Sequence, residues 1–245
     1  MTSKEVVLKR PPQGSLRFGH PWIYRNQIKE VSVNAEAGGV FSVKTESGKF
    51  LGKAYWNPKS EISLRLLTRR DEAIDTDFFR TRLRKALELR KKTVLETNAF
   101  RAVSSEADDL AGLIVDQYAE VLVVQFLTLG MEKMRDLILP VLNEVLPNRG
   151  VYERSDAPSR KLEGLPEKTG WIEKNCGSQV VIHEKDVEIE LKFGEGHKTG
   201  WYLDQRENRY FLRETAGGSG EALDVFCYEG GFGLQLAKAG MNGRR

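Results

Sequence analysis

The spacing of apolar and polar residues changes along this chain, and the changes divide it into three stretches. Over residues 1–75, apolar positions recur every second residue. "GVFSVKTESGKFLGKAYWN" alternates about a turn at Ser47-Gly48, which puts Phe41, Val43, Phe50 and Ala54 on one core-facing side. "EISLRLLTR" alternates again through Ile62, Leu64 and Leu66. Several short strands with glycine punctuation in so few residues predict a small β-barrel.

From Thr76 the period lengthens. Phe79, Leu83, Ala86, Leu87 and Val94 form a helical stripe, with Asp75 or Thr76 available as its cap. "GLIVDQYAEVLVVQFLT" predicts two strands joined near Tyr118-Ala119-Glu120. "MEKMRDLILPVLNEVL" returns to helical spacing through Met134, Ile138, Val141 and Val145, and Pro140 predicts a kink or an interruption there. "QVVIHE" and "VEIELKF" predict a strand pair turning at Lys185-Asp186. Residues 76–193 thus read as a central α+β domain.

The third stretch, 194–245, opens with "GEGHKTGWYLDQRENRYFLRE". Gly194, Gly196 and Gly200 predict a mobile or tightly turned loop, and Asp204 with Glu207 predicts a reciprocal cap on a helix running to about Thr215. Residues 222–226, "ALDVF", then read as a buried strand, Gly230-Gly231 as a turn, and Phe232 to Ala239 as a helix. This is the opening unit of a nucleotide-cofactor fold. Glycine permits positive φ and close backbone approach, and a helix N-terminus suits a carboxylate or phosphate. A dinucleotide fingerprint would need a third glycine where Leu236 stands, which argues against a nicotinamide oxidoreductase.

Composition narrows the setting. The charged and apolar fractions are those of an ordinary soluble globular protein. No apolar run reaches the roughly 20 residues of a membrane helix. The start, "MTSKEVVLKR", lacks the apolar segment of a signal peptide. Cys176 and Cys227 offer neither a disulfide framework nor zinc spacing, which predicts a reducing, cytoplasmic setting. The scattered His20, His183 and His197, and the acids Glu106, Asp108, Asp109 and Asp116, match no metal-site spacing, so no metal is expected.

Net charge, +3, says little, but its distribution says more. "RTRLRKALELRKK" sets Arg80, Arg82, Arg84, Lys85, Arg90, Lys91 and Lys92 against Glu88 alone. Such a face suits phosphate neutralisation and equally suits a solvated helix surface. Trp22, Tyr24, Tyr55 and Trp56 could stack on RNA bases or fill the barrel core.

"DVFCYEGGFG" closely resembles the first motif of class I S-adenosylmethionine-dependent methyltransferases. "GHKTGWYLDQRENR" is similar to the stretch that precedes that motif in large-subunit ribosomal RNA cytosine-C5 methyltransferases with an N-terminal PUA domain. "LKRPPQGSLRFGHPWIYRNQI", "SEADDLAGLIVDQY" and "VYERSD" match the same family in order, so the resemblance covers nearly the whole chain. One departure is Asp109-Leu110-Ala111-Gly112, where the family usually has Gly-Leu-Pro-Gly.

The resemblance implies a multidomain α+β protein. It would have a PUA-like RNA-binding barrel (1–75), the central domain (76–193) and the beginning of a Rossmann-like domain (194–245). It implies S-adenosylmethionine as cofactor, held by Asp224, Phe226, Tyr228, Gly230, Gly231 and Phe232. Lys198, Thr199, Gly200, Asp204, Gln205 and Arg206 would cover it from the other side, or serve only as a loop and helix cap. Ribosomal RNA is the implied partner, met by Arg80, Arg84, Lys85, Lys91, Lys92, Trp22 and Tyr24.

The family's catalytic cysteines come from later loops, so Cys227 reads as a small residue under the cofactor. No catalytic residue is expected before Arg245. A first strand without its later neighbours further predicts a truncated chain, inactive by itself, with its last 25 or so residues poorly ordered or abnormally packed. The competing expectation is a non-catalytic RNA-binding protein that keeps the first two domains. The sequence leaves the oligomeric state open, a homodimer included.

Overall fold

The computed structural model describes residues 4–177, 179–192 and 199–244. The chain forms two compact units. One comprises residues 1–93, 101–116 and 120–176; the other comprises 94–100, 117–119 and 177–245.

The first unit begins with β1 (Glu5–Leu8), β2 (Trp22–Ile23), β3 (Ile28–Val31), β4 (Val40–Thr45), β5 (Phe50–Trp56) and β6 (Leu64–Thr68). They make one sheet in the order β2-β6-β5-β4-β1-β3, in which β1 and β4 run parallel. Its core is Val6, Leu8, Leu16, Ile23, Phe41, Val43, Ala54, Leu64 and Leu66. Register shifts at Val7/Leu8, Val43/Lys44 and Lys53/Ala54 bend the strands round that core. The Ser47-Gly48 turn forms as expected, with the Gly48 N–H donating to the Thr45 carbonyl. Phe50 departs from expectation. The shift at Val43/Lys44 pairs it with Lys44 and leaves it half-buried outside the core.

Helix α1 (Thr76–Thr93) follows, and the Phe78 N–H donates to Asp75 Oδ1, which identifies the cap. Then come β7 (Ala99–Ser104), β8 (Leu113–Tyr118), β9 (Val121–Phe126), α2 (Leu129–Lys133), α3 (Arg135–Val145), β10 (Gly150–Ser155), α4 (Ser159–Leu162) and β11 (Lys168–Glu173). The sheet order is β11-β10-β9-β8-β7. Asp109 takes a left-handed backbone, φ 58°, so the substitution at the head of this loop falls on a residue type that tolerates that region. Pro140 lies inside α3; the break falls at Met134, between α2 and α3.

The six-stranded sheet and the five-stranded sheet are held together within this unit. The Tyr55 hydroxyl donates to the Ala111 carbonyl and accepts from Thr128 Oγ1. A Cβ at Gly130 would fall 2.1 Å from the Tyr55 ring. Glu163 receives Arg65 Nη1 at 2.9 Å and Asn57 Nδ2 at 2.8 Å, all three side chains being buried. Tyr55 and Trp56 accordingly serve packing, and Trp56 meets Phe41 edge-on.

The second unit contains β12 (Gln179–Glu184), β13 (Val187–Lys192), α5 (Arg206–Thr215), β14 (Glu221–Leu223), α6 (Gly231–Lys238) and β15 (Asn242–Arg244). The β12–β13 hairpin turns at Lys185-Asp186 as expected, and its buried face is Val180, Ile182, Glu184, Val187, Ile189 and Leu191. The expected reciprocal cap does not form. A short 3-10 turn at Leu203–Gln205 precedes α5, and Glu207 accepts from its neighbour Arg206 instead.

The strand expected over 222–226 is shorter and uncovered. β14 ends at Leu223, and Leu223, Val225 and Phe226 are 70%, 61% and 100% exposed. Phe226 and Tyr228 take φ of 63° and 50°, which turns the chain out of extended geometry. The expectation that β14 lacks neighbours is corrected as well. Asn242–Arg244 pairs with it in parallel, completing a β14–α6–β15 unit.

Candidate functional site

The residues around α6 define the site. Gly230, at φ 77°, is its N-cap, and the Gly230 N–H donates to the Cys227 carbonyl at 2.7 Å. Asp224 Oδ2 accepts the Gly233 N–H at 3.0 Å. Among the described residues the Gly231 and Phe232 N–H groups have no hydrogen-bond partner. Two donors and the positive end of a helix dipole therefore remain for an anion. The chain leading into this turn borders an open hollow of about 700 Å³, lined by Tyr202, Leu223 and residues 224–228.

Gly231 is needed for a reason the sequence did not disclose. A Cβ there would fall 2.7 Å from Trp201 Cη2 and 3.1 Å from Arg209 Cδ, so this glycine faces protein. Trp201 rests on a buried ion pair. Arg209 Nε and Nη2 bind Glu184 at 2.8 and 2.5 Å, and Trp201 Nε1 donates to the same carboxylate at 2.8 Å. The Arg209 guanidinium lies 4.8 Å from the Trp201 ring and 5.9 Å from that of Phe232. Its Nη1 donates to the Tyr202 carbonyl, and Gln235 Nε2 donates to the Glu184 carbonyl.

Of the expected residues, Asp224, Tyr228, Gly230, Gly231 and Phe232 come together at the turn. The Tyr228 hydroxyl donates to the Gly200 carbonyl, and Tyr202 meets the Tyr228 ring edge-on at 5.4 Å. Phe226 points away from protein, fully exposed. Thr199 is buried, its hydroxyl 2.7 Å from that of Tyr118, and Gly200 has φ 142°. Arg206 is nearly buried at the start of α5, while Gln205 accepts from Asn208 and Asp204 is exposed in the 3-10 turn. Lys198 lies outside the described residues. Cys227 is half-buried, with its thiol directed at the Tyr228 carbonyl.

Trp201, Arg209 and Glu184 escaped the sequence reading. One signal was available: in "QVVIHE" the alternation that buries Val180 and Ile182 also buries Glu184, and a buried carboxylate needs a partner.

The basic run on α1, in the first unit, carries its own counter-charges. Arg80 Nε donates to both Glu144 oxygens, at 2.8 and 3.0 Å, and Arg80 also bonds Asp77. Arg84 reaches Glu144 at 3.1 Å, while Arg82 and Lys85 reach Asp109. Arg90 makes two bonds to the buried Asp108. Lys91 and Lys92 make no ion pair among the described residues.

Trp22 donates to Glu106 Oε1 at 2.9 Å and meets His20 edge-on. Burial pushes the Glu106 carboxyl up, but hydrogen bonds from Ser105 and Trp22 outweigh it and hold it below its ordinary range. Tyr24 is partly exposed, and Phe18, which sequence reading passed over, is 87% exposed. Asp116 is fully buried in β8 and takes two bonds from Arg101.

Residues 6–69 match the model of the PUA-like domain. The chain is 39% identical over 240 residues to ribosomal RNA large subunit methyltransferase I of Shewanella denitrificans, covering 96% of this chain and 60% of that protein. It is 40% identical to the protein of the same name from Shewanella frigidimarina, with the same coverage. The chain thus spans about 60% of the length of the curated relatives it matches. Among solved structures it resembles a protein assigned as a methyltransferase and complexed with SAH. The TM-score is 0.76 at 20% identity, covering 99% of this chain and 61% of that one. A Streptococcus mutans protein assigned as a SAM-dependent methyltransferase gives the same score and identity, covering 98% of this chain and 61% of that one. At that identity the likeness is one of fold. No helix among the described residues is long and apolar enough to cross a membrane.

Proposed function

We propose that this chain carries the RNA-binding and cofactor-turn portions of an S-adenosylmethionine-dependent RNA methyltransferase that modifies cytosine C5 in large-subunit ribosomal RNA. The observation that carries the reading is the left-handed Gly230 turn, after which the Gly231 and Phe232 amides have no hydrogen-bond partner among the described residues, while the strand and turn leading into it line an open hollow. That donor set fits a carboxylate-bearing cofactor. The relatives of 39–40% identity support methyl transfer to ribosomal RNA.

When bound, S-adenosylmethionine would supply an electrophilic methyl group. This chain's residues would hold it: the Gly231 and Phe232 amides at its carboxylate, Tyr228 and Phe226 against its apolar parts, and Asp224 fixing the helix start through Gly233. Thr199, Gly200, Asp204, Gln205, Arg206 and Lys198 are proposed as the opposite wall. In this reading residues 1–75 are the RNA-binding barrel, 76–193 the central domain and 194–245 the beginning of the cofactor domain. RNA would meet Tyr24, Trp22 and the basic face of Arg80, Arg84, Lys85, Lys91 and Lys92.

Isothermal titration with S-adenosylhomocysteine tests the cofactor assignment; no heat of binding at millimolar ligand would refute it. Filter binding to large-subunit ribosomal RNA should show affinity that falls steeply with salt.

A second reading, RNA binding without catalysis by residues 1–245, is favoured by the cysteines. Cytosine-C5 methylation needs a thiolate to attack C6 of the base. Cys176 donates to the Arg149 carbonyl, and Cys227 lies within the cofactor turn. Incubation of the chain with labelled S-adenosylmethionine and undermodified ribosomal RNA separates the two readings, since methyl transfer above a no-protein control would exclude the second.

A further inference from the structure

Among the described residues of the second unit, Arg209 and Glu184 are the most deeply buried ion pair, with side-chain exposures of 2% and 1%. Burying two charges costs more than an ordinary contact returns unless every donor and acceptor is satisfied. Here the carboxylate receives two bonds from Arg209 and one from the Trp201 indole, while the remaining Arg209 nitrogen bonds the Tyr202 carbonyl. An apolar pair would fill the same space, so the arrangement invites the question of what it aligns.

Its contacts run to the start of α6. The guanidinium carbon lies 4.8 Å from the centre of the Trp201 ring and 5.9 Å from that of Phe232, the second residue of α6. The indole leaves no room for even a Cβ at Gly231. The Glu184 backbone also takes Gln235, one turn further along α6. From Tyr202 the alignment extends to the rim of the hollow, through its ring contact with Tyr228.

We propose that the Arg209–Glu184 pair aims the unpaired Gly231 and Phe232 amides at the amino-acid carboxylate of the cofactor, which makes Arg209 a positioning residue for that end of the ligand. The inference rests on the cofactor reading above. The planar fork is essential to it, because a lysine ammonium supplies the charge but cannot hold both carboxylate oxygens and the Tyr202 carbonyl together.

The test uses Arg209→Lys, which keeps the charge, and two probes. S-adenosylhomocysteine has the carboxylate; 5′-methylthioadenosine has the adenosine and sulfur without it. Affinity for S-adenosylhomocysteine should fall at least about tenfold, the scale of a lost charged hydrogen bond, while affinity for methylthioadenosine stays within about twofold. Equal losses for both probes would mean general loosening and overturn the proposal, as would unchanged affinity for S-adenosylhomocysteine.

Hydrogen exchange provides the second readout. The Gly231 and Phe232 amides should exchange faster in Arg209→Lys while amides of β8 and β9 do not change. If wild-type protein binds neither probe, the cofactor reading fails on that result. Unaltered exchange at Gly231 and Phe232 would then overturn the positioning role independently.

Discussion

Strands β9 and β14 both come from apolar runs, yet they end in opposite surroundings. In β9 the side chains of Val121, Leu122, Val123, Val124 and Phe126 are all buried, with β8 and β10 on either side. In the β14 segment Leu223, Val225 and Phe226 face outward. An apolar run records a demand for burial, and only neighbouring strands and helices can meet it. The first unit supplies those neighbours for β9; among the described residues of the second, β14 has β15 on one side and α6 above. The difference makes β9 a stability element and the β14 segment a surface that a ligand or further polypeptide can cover.

The largest effect expected from this contrast is on folding. Leu122→Ala should cost about 2–5 kcal/mol in urea denaturation, because it opens a cavity in a packed sheet. Leu223→Ala should change stability by no more than about 0.5 kcal/mol. Comparable losses at both positions would erase the contrast.

Gly231→Val probes the buried side of the same α6 unit. The added carbons meet Trp201, so a loss of about 1–3 kcal/mol from overpacking is expected, together with weaker S-adenosylhomocysteine binding. A variant with wild-type stability and affinity would show that Trp201 yields easily.

Smaller effects are expected on α1. Lys91→Glu with Lys92→Glu should weaken RNA binding several-fold and lower its salt slope by about 2. Arg84→Glu should do less, since Glu144 already offsets that charge. The reverse ranking would place the RNA on the Glu144 side.

The smallest effect concerns pH. A hydrogen bond from Arg213 holds the Asp186 carboxyl at about 2, below its ordinary value of 3.8. A lowered folded-state value means that the stabilisation is fully present above about pH 4 and is lost as pH falls toward 2. Asp186→Asn should flatten the acid limb of the second unit's stability over that window, measured by acid titration of its circular dichroism. An unchanged limb would remove Asp186 from the account.

Much of the fold was legible where a local rule decides it. The Ser47-Gly48 and Lys185-Asp186 turns, the Asp75 cap and the core face of Phe41, Val43 and Ala54 follow from turn chemistry and alternation. Phe50 was not legible, because a bulge in the strand pairing reassigns its side of the sheet. Nor was the cap at Asp204 and Glu207, where Arg206 competes for the same carboxylate. At the candidate site the glycine turn was readable as a motif, since backbone conformation restricts it to glycine. The supports of that turn were not, because Glu184, Trp201 and Arg209 are far enough apart in sequence that only the fold brings them together.

The second unit is discontinuous, and this has a consequence for how it can be made and cut. Along the chain its short segments 94–100 and 117–119 are separated from 177–245 by residues 120–176, which belong to the first unit. Through them Tyr118 meets Thr199 and Trp201, Asn98 receives the His183 N–H, and Glu96 receives the Lys185 N–H. During synthesis these residues emerge well before their partners, so closure of the second unit waits on long loops whose entropy cost is met late. A fragment beginning at 177 would leave Thr199, His183 and Lys185 without those partners. Any excision that isolates the cofactor turn must therefore carry the two short segments with it, or graft them back by circular permutation.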